Sequence, residues 1–470
     1  MKNLRMVVLG VLALSMMGFT STSKTQIATF KLTDWSKQMK QIHSLSLDLA
    51  GVNLKQKQVD LVVNNTELAT LKSMGFSVVK VNSEFTKATP DTRYQTPVKI
   101  ESTLKQYAAK YSNLAQVTSI GKSLEGRDIW AIKLTKDVSV KNPAKPHILF
   151  NSMHHAREVM TAEVGLDIVD QLLTQYGKDP KITHWMDSFE IYVIPMFNVD
   201  GNNMVWTHDS MWRKNARGGY GVDINRNYPY AWNSCDGSSS SEGAQDFHGA
   251  SAASEPETVV MMNYVKTVRP VFEISYHSYS EIVIYPYGCP GEHTPTKDIV
   301  EKIGKDLAFR LISDGGSDHY TAGTAPELLY AVDGGDIDWL YHEAQVIPYV
   351  IELNSSSQGF QPPYSKWRDL SVKRQREGWQ FLLTRMDGSS IHGQVIDQNG
   401  NPMPAAKLHI VGSYTQDYAV NADGYFDVIL NPGKYTVTVQ APGVQSISQN
   451  VTVANTRLEL PLAMTTAKSR

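Results

Sequence analysis

The chain has 470 residues, 41% of them hydrophobic and 20% charged, which is ordinary globular composition and too long for one small domain. Its 45 Lys and Arg against 47 Asp and Glu give a formal charge of −2, so a nucleic-acid role has no electrostatic support. Two or three folding units of neutral balance are expected.

At the N-terminus, Lys2 and Arg5 precede an apolar run from Met6 to Phe19 and then small polar residues, the layout of a secretory signal peptide over residues 1–23. The run is short for a membrane span and no other stretch reaches that length, so no transmembrane anchor is expected, and the protein is read as secreted or periplasmic. Export would put Cys235 and Cys289 where oxidation is permitted; the sequence leaves open whether they form a disulfide or remain separate thiols.

Residues 24–90 are short and mixed. Alternating segments, Val59-Asp60-Leu61-Val62-Val63 and Phe76-Ser77-Val78-Val79, flank a helical patch from Glu67 to Met74, and Lys87 to Thr92 reads as a linker. A small α+β unit on a cleavable connection is expected.

From 91 to 388 the pattern changes to apolar runs alternating with longer amphipathic segments. The runs include Ile129 to Ile132, Ile148 to Phe150, Ile191 to Ile194, Val271 to Ile274 and Tyr349 to Ile351. Helices are expected at Thr161 to Thr174, Glu257 to Thr267, Thr296 to Ser313 and Trp367 to Arg385. This alternation predicts an α/β domain with a mixed, largely parallel central sheet and helices on both faces, its site beyond the carboxyl ends of the strands. Residues 389–466 instead carry short alternating strands separated by Asn399-Gly400, Asp423-Gly424, Pro432-Gly433 and Pro442-Gly443, which predicts a small β-sandwich.

The chemistry begins at HILFNSMHHAREVM, residues 147–160, where a strand-like run ends in two histidines. His155 and Glu158, three apart, would share one face of a helix beginning there, but chance supplies about one such pair in a chain of this composition. The pair gains meaning from His277 and Glu352, each at the end of another apolar run. Two imidazoles and one carboxylate suit catalytic zinc with a fourth position left for water, and Glu352 is then the free carboxylate that serves as general base.

A longer series of motifs carries a resemblance. His155-Ala156-Arg157-Glu158, Trp212-Arg213-Lys214, Gly221 to Asn227, Ser254 to Thr258, His277 to Ser280, Tyr285 to Gly288, Tyr330 with Gly334 to Trp339, and Ile351-Glu352-Leu353 resemble, in order, the zinc metallocarboxypeptidases of the carboxypeptidase A and B type. The resemblance implies that His155, Glu158 and His277 hold one zinc, that Glu352 activates water, and that Arg213 stabilises the oxyanion. It also implies that Asn225, Arg226 and Tyr330 bind the substrate's terminal carboxylate, with Arg157 an accessory contact. The implied substrates are peptides or proteins with a free C-terminal carboxylate.

Taken singly, each of these residues has an ordinary structural role; the order of the motifs is what joins them. His154, His184, His208, His248 and His319 match no motif and read as structural or exposed. By the same resemblance Ile337 falls at the pocket position where an apolar residue accompanies apolar C-terminal residues, and Gly288 and Val350 add no charge. Asp336 stands where the family usually has a small neutral residue, and turned into the pocket it would admit basic residues as well. Residues 24–90 resemble the propeptide of secreted, carboxypeptidase T-like enzymes, and 389–466 a transthyretin-like regulatory domain. Two alternatives remain at this level: a murein peptide-trimming zinc amidase on the same fold, and an inactive peptide-binding relative.

Overall fold

Uninterrupted apolar runs such as Ile148-Leu149-Phe150 must be covered on both faces, and the chain meets that demand with one eight-stranded sheet between helical layers. The fold is described here from a computed structural model covering residues 25–82, 89–413 and 416–465. The signal-like run and the first residues of the linker lie outside the described residues.

Across the sheet the strands run in the order Thr321–Gly323, Ile282–Ile284, Ile347–Leu353, Phe272–Ser278, His147–Ser152, Glu190–Ile194, Asp128–Leu134 and Ala115–Lys122. The four neighbours from Ile347–Leu353 to Glu190–Ile194 pair in parallel, and antiparallel strands flank them. The sheet is therefore mixed with a parallel centre, as the alternation of runs and amphipathic segments predicts.

The four expected helices form at Met160–Gln175, Pro256–Val268, Lys297–Arg310 and Tyr364–Met386. Met160–Gln175 is buried over most of its length, because the helix Tyr364–Met386 lies across it. Polar groups between the two helices are paired: Arg376 donates to both oxygens of Asp167 at 2.8 and 2.7 Å, and Arg368 meets Glu163 at 3.3 Å. Earlier helices start where Pro follows a capping residue, at Thr96-Pro97 and Asp179-Pro180.

The N-terminal unit is an antiparallel four-stranded sheet, Asp48–Asn53, Gln58–Val63, Gln26–Lys31 and Ser77–Asn82 in spatial order. Two helices accompany it, Trp35–Ser44 and Asn65–Ser73; the second starts at a reciprocal cap between Asn64 and Glu67. The helix Trp35–Ser44 was not among the sequence expectations, since its apolar positions are few. The C-terminal unit is two four-stranded sheets that share one apolar core, including Ile391, Val428, Leu408 and Val437. Cys235 and Cys289 form a disulfide with Cα atoms 5.9 Å apart, which closes the question the sequence left open.

Parallel strands end together, so their carboxyl ends define a common edge. Glu352 pairs in register with His277, and Ser152 with Tyr276, bringing three loops of distant sequence to one place.

Candidate metal centre and cleft

Immediately after the strand His147–Ser152, buried Met153 takes a left-handed φ of 67° and turns the chain, so that His154 and His155 leave in different directions. Residues 155–158 form a turn rather than the first turn of a helix, which begins only at Met160. The expected shared face is thus supplied by the turn itself, and His155 Nδ1 lies 2.7 Å from Glu158 Oε1. The peptide N–H of Ala156 donates to the carbonyl of Arg213, tying this turn to the segment that carries the arginine.

His277 sits inside the strand Phe272–Ser278 rather than after it, one residue short of its end. Its Nδ1 lies 3.0 Å from His155 Nδ1 and 3.2 Å from Glu158 Oε2, and the N–H of Ser278 donates to the same carboxylate oxygen at 3.1 Å. All three side chains are buried, and one ligand atom from each falls within 4.8 Å of the others. A tetrahedral zinc with bonds of about 2.0–2.2 Å separates its ligands by roughly 3.3 Å, so this donor set fits the ion in both chemistry and spacing. Although burial opposes it, the two imidazoles hold the Glu158 carboxyl well below its ordinary range, as a metal-binding carboxylate requires.

Asp223 organises the opposite side of His155. Its Oδ1 is 3.3 Å from His155 Nε2, while its Oδ2 accepts from Arg213 Nε and Nη2 at 3.1 and 2.8 Å. One buried carboxylate thereby orients both an imidazole and a guanidinium, turning His155 Nδ1 toward the centre. Its own carboxyl is held far down by Arg213 and His155 against the cost of burial. Asp223 lies inside the Gly221 to Asn227 motif, which was the only trace of it in sequence.

Glu352 faces the same cleft without joining the three donors. Burial, followed by the charge of Glu158, pushes its carboxyl up to about 7. Arg226 is buried with neutral oxygens for company: the carbonyls of Gly237 and Asn225 at 3.2 and 2.8 Å and the Tyr330 hydroxyl at 3.2 Å. Asn225 accepts from the N–H of Asp336 through Oδ1 and keeps Nδ2 3.5 Å from His277 Nε2.

Beyond the charged residues the cleft becomes apolar, walled by Ile284, Ala325, Leu329, Ile337 and Val350. Gly288 belongs to this wall by necessity, because a Cβ there would run into the carbonyl of Val332. Asp336 does not project freely into the pocket: its Oδ1 accepts from the N–H of Ile337 at 2.8 Å and its Oδ2 faces His154 Nε2 at 3.6 Å. His154 in turn is no isolated bystander. It is fully buried, burial lowers its pKa to about 4, and its ring stacks on His277 with centroids 5.6 Å apart.

Arg157, an expected substrate contact, is already paired with a carboxylate. Its guanidinium lies over Phe360 and donates to both oxygens of Asp48, in the N-terminal unit, at 2.6 and 2.7 Å. The strand Asp48–Asn53 crosses the cleft, with Leu49, Ala50 and Gly51 lining it; a Cβ on Gly51 would lie 2.5 Å from the Tyr279 ring. Val52 N–H donates to Ser280 Oγ, Tyr279 donates to Asp60, and His43 stacks on Tyr330. A contact spanning 109 residues, such as Asp48 with Arg157, leaves no local signal in sequence. Of the other unmatched histidines, His248 is buried on the carbonyl of Gly249, while His184, His208 and His319 are exposed.

The model for the zinc carboxypeptidase domain matches residues 100–373, and that for the carboxypeptidase regulatory-like domain matches 390–465. A zinc carboxypeptidase of Simulium vittatum is 32% identical over 58% of this chain and 90% of its own length. Carboxypeptidase M of Mus musculus is 26% identical over 77% and 81%. The crystal structure of carboxypeptidase A from Helicoverpa armigera superposes with a TM-score of 0.65 at 22% identity, over 77% of this chain and 96% of that one, and shows a shared fold. With more than half of its length matched by the domain model, and with a donor set suited to the metal, this chain belongs to the zinc carboxypeptidase family of metal-dependent peptidases.

Proposed function

We propose that the protein is an exported carboxypeptidase that removes single residues from the C-terminus of peptides, prefers apolar ones, and is held latent by its N-terminal unit. The observation that carries this reading is the convergence of His155, Glu158 and His277 beside a free carboxylate, Glu352, with Arg226 buried nearby among neutral oxygens only. Among the described residues no carboxylate bonds that guanidinium directly, and a substrate's terminal carboxylate would do so in bidentate geometry.

In this reading His155, Glu158 and His277 hold the zinc, which when bound supplies Lewis acidity for the scissile carbonyl and for the attacking water. Arg226, Asn225 and Tyr330 grip the terminal carboxylate, which limits cleavage to the last peptide bond. Glu352 takes a proton from the water as it attacks the carbonyl carbon and passes that proton to the leaving amine, so one carboxylate serves both halves of the reaction. Arg213, aligned by Asp223, donates to the developing oxyanion. The apolar wall around Ile337 receives the side chain of the departing residue, while the Asp336 carboxylate is held by the N–H of Ile337 and faces His154.

Latency is supported by the strand Asp48–Asn53 in the cleft and by Asp48 on Arg157. Export is supported by the N-terminal charge and apolar layout together with the disulfide. Blocked dipeptides provide the test: the trimmed enzyme should cleave one with a free C-terminus and leave its C-terminal amide untouched. Equal cleavage of acid and amide contradicts the role given to Arg226.

A further inference from the structure

The turn that carries Arg226 is followed by an irregular loop, residues 231–238, that holds three non-glycine residues at left-handed φ: Ala231 at 52°, Asn233 at 51° and Asp236 at 56°. A backbone held in such sparsely populated wells persists only where its surroundings over-determine it. The group that does so is Asp333, which is fully buried. Its Oδ2 accepts from the peptide N–H groups of Ser234, Cys235 and Gly237 at 3.1, 3.1 and 3.0 Å, and its Oδ1 accepts from the Ser238 hydroxyl. One carboxylate thus gathers a whole loop by charge-assisted hydrogen bonds. The approach is close: a Cβ on Gly237 would lie 2.4 Å from the Asp333 nitrogen.

On its other side the loop meets Arg226. The carbonyl of Gly237 accepts from Arg226 Nε at 3.2 Å, while Nη1 and Nη2 donate to the Asn225 carbonyl and the Tyr330 hydroxyl. The disulfide from Cys235 to Cys289 braces the loop at a second point, next to Gly288, whose carbonyl accepts from the N–H of Val332 at 2.9 Å.

We propose that Asp333 is a positioning residue for recognition of the substrate's terminal carboxylate: by fixing the loop 231–238 it places the Gly237 carbonyl that holds the Arg226 guanidinium in its gripping orientation. This rests on the reading of Arg226 as a carboxylate-binding residue and deepens it.

The donors of Arg226 show why one carbonyl matters. A guanidinium has five N–H bonds. Gly237, Asn225 and Tyr330 each take one, which leaves one N–H on each terminal nitrogen. That pair is what a carboxylate accepts side by side. The single hydrogen of Nε is committed to Gly237, and this bond sets the plane of the fork. With the carbonyl displaced, the guanidinium can turn about its last side-chain bonds, and the pair loses its alignment. Asp333 does not bond Arg226 itself; its four hydrogen bonds go to the loop. Because Asp333 stands three residues after Tyr330, it also ties the loop to the segment that supplies another member of the grip.

The test uses the zinc-loaded chain with its linker cut near residue 90. Its readouts are KM and kcat on a blocked dipeptide ending in Phe, and inhibition by 3-phenylpropionate, a carboxylate with one apolar arm and no peptide bond to cleave. Asp333→Ala leaves three peptide N–H groups without their acceptor. It should raise KM and the inhibition constant together by roughly tenfold, with kcat within about threefold of the parent. Asp333→Asn keeps an oxygen for the three N–H groups and an amide that can donate to Ser238, and should hold both constants to within about threefold of the parent. In Arg226→Lys the fork is already gone, so adding Asp333→Ala should raise KM by no more than about twofold further. Should Asp333→Ala not fold, Asp333→Ser takes its place in the same cycle. The proposal is overturned if KM and the inhibition constant of the Ala variant stay within about twofold of the parent, if the loss is confined to kcat, if Asp333→Asn is as impaired as Asp333→Ala, or if the effects multiply with Arg226→Lys. Arg226→Lys alone separates the two levels. If it leaves KM and the inhibition constant unchanged, the carboxylate reading fails; if it raises both while Asp333→Ala raises neither, only the positioning role fails.

Discussion

Replacing Asp48 by Ala tests whether the N-terminal unit is a plug. Among the described residues Asp48 is the only carboxylate paired with Arg157, and the pair is nearly dry, with 1% of the arginine side chain and 12% of the aspartate exposed. Breaking a buried pair by removing one partner costs about 3–5 kcal/mol, because a desolvated charge is left without compensation. That cost falls on the docked state alone, since Arg157 in an open cleft regains water. Taking about 3 kcal/mol from docking raises the open fraction on the order of a hundredfold. The assay is hydrolysis of a blocked dipeptide ending in Phe by the intact chain and by the chain cut near residue 90. Asp48→Ala should raise the activity of the intact form severalfold or more and hasten cutting of the linker, while the trimmed enzyme is unaffected. Gly51→Ala should act in the same direction, because its Cβ would press on Tyr279. If intact wild type is as active as the trimmed form, or intact Asp48→Ala gains nothing, the plug is refuted.

Arg226→Lys exchanges a bidentate fork for a point charge and should raise KM by roughly 10–100-fold with a smaller change in kcat; a fall confined to kcat contradicts its assignment to substrate binding. Ile337→Asp should move preference toward C-terminal Lys and Arg, read as the ratio of kcat/KM for Arg-ending over Phe-ending substrates, and an unchanged ratio removes Ile337 from the pocket floor. Burial pushes the carboxyl of Asp338 up to about 7, with the N–H of Gly288 as its donor. Its pKa in the folded state exceeds that in the unfolded chain, so its stabilisation is present below about pH 4 and lost as pH rises through about 7. The thermal midpoint should therefore fall between about pH 5 and pH 8 more steeply in wild type than in Asp338→Asn; parallel slopes would show that Asp338 is not the group responsible.

Much of the fold could be read from periodicity because its central elements are long and buried on both faces. The helices at Met160–Gln175, Pro256–Val268, Lys297–Arg310 and Tyr364–Met386 all fall within a few residues of their sequence bounds. Short elements escaped: Trp35–Ser44 carries few apolar positions, and Tyr418–Ala419 and Leu462–Met464 are too brief for a period to register. The residues His155, Glu158, His277 and Glu352 were legible because they follow or close strong strand signals. Asp223 was not, because its work is to orient two other side chains, and that depends on distances rather than on residue type. His154 matches no motif in sequence, and its stacking on His277 follows from the turn at Met153. For Asp336 the sequence gives its place beside Ile337 but not the direction of its carboxylate, which faces His154 at 3.6 Å.

Hydrolysis of blocked dipeptides ending in Phe, Leu, Arg and Glu by the trimmed enzyme, with and without a zinc chelator and alongside Glu352→Gln, addresses the central claim most directly. The account predicts that Phe and Leu are released fastest, that the chelator abolishes activity and added zinc restores it, and that Glu352→Gln retains zinc but loses about 10²–10⁴-fold in kcat. Activity that survives the chelator, or a Glu352→Gln enzyme with kcat near that of wild type, would contradict it.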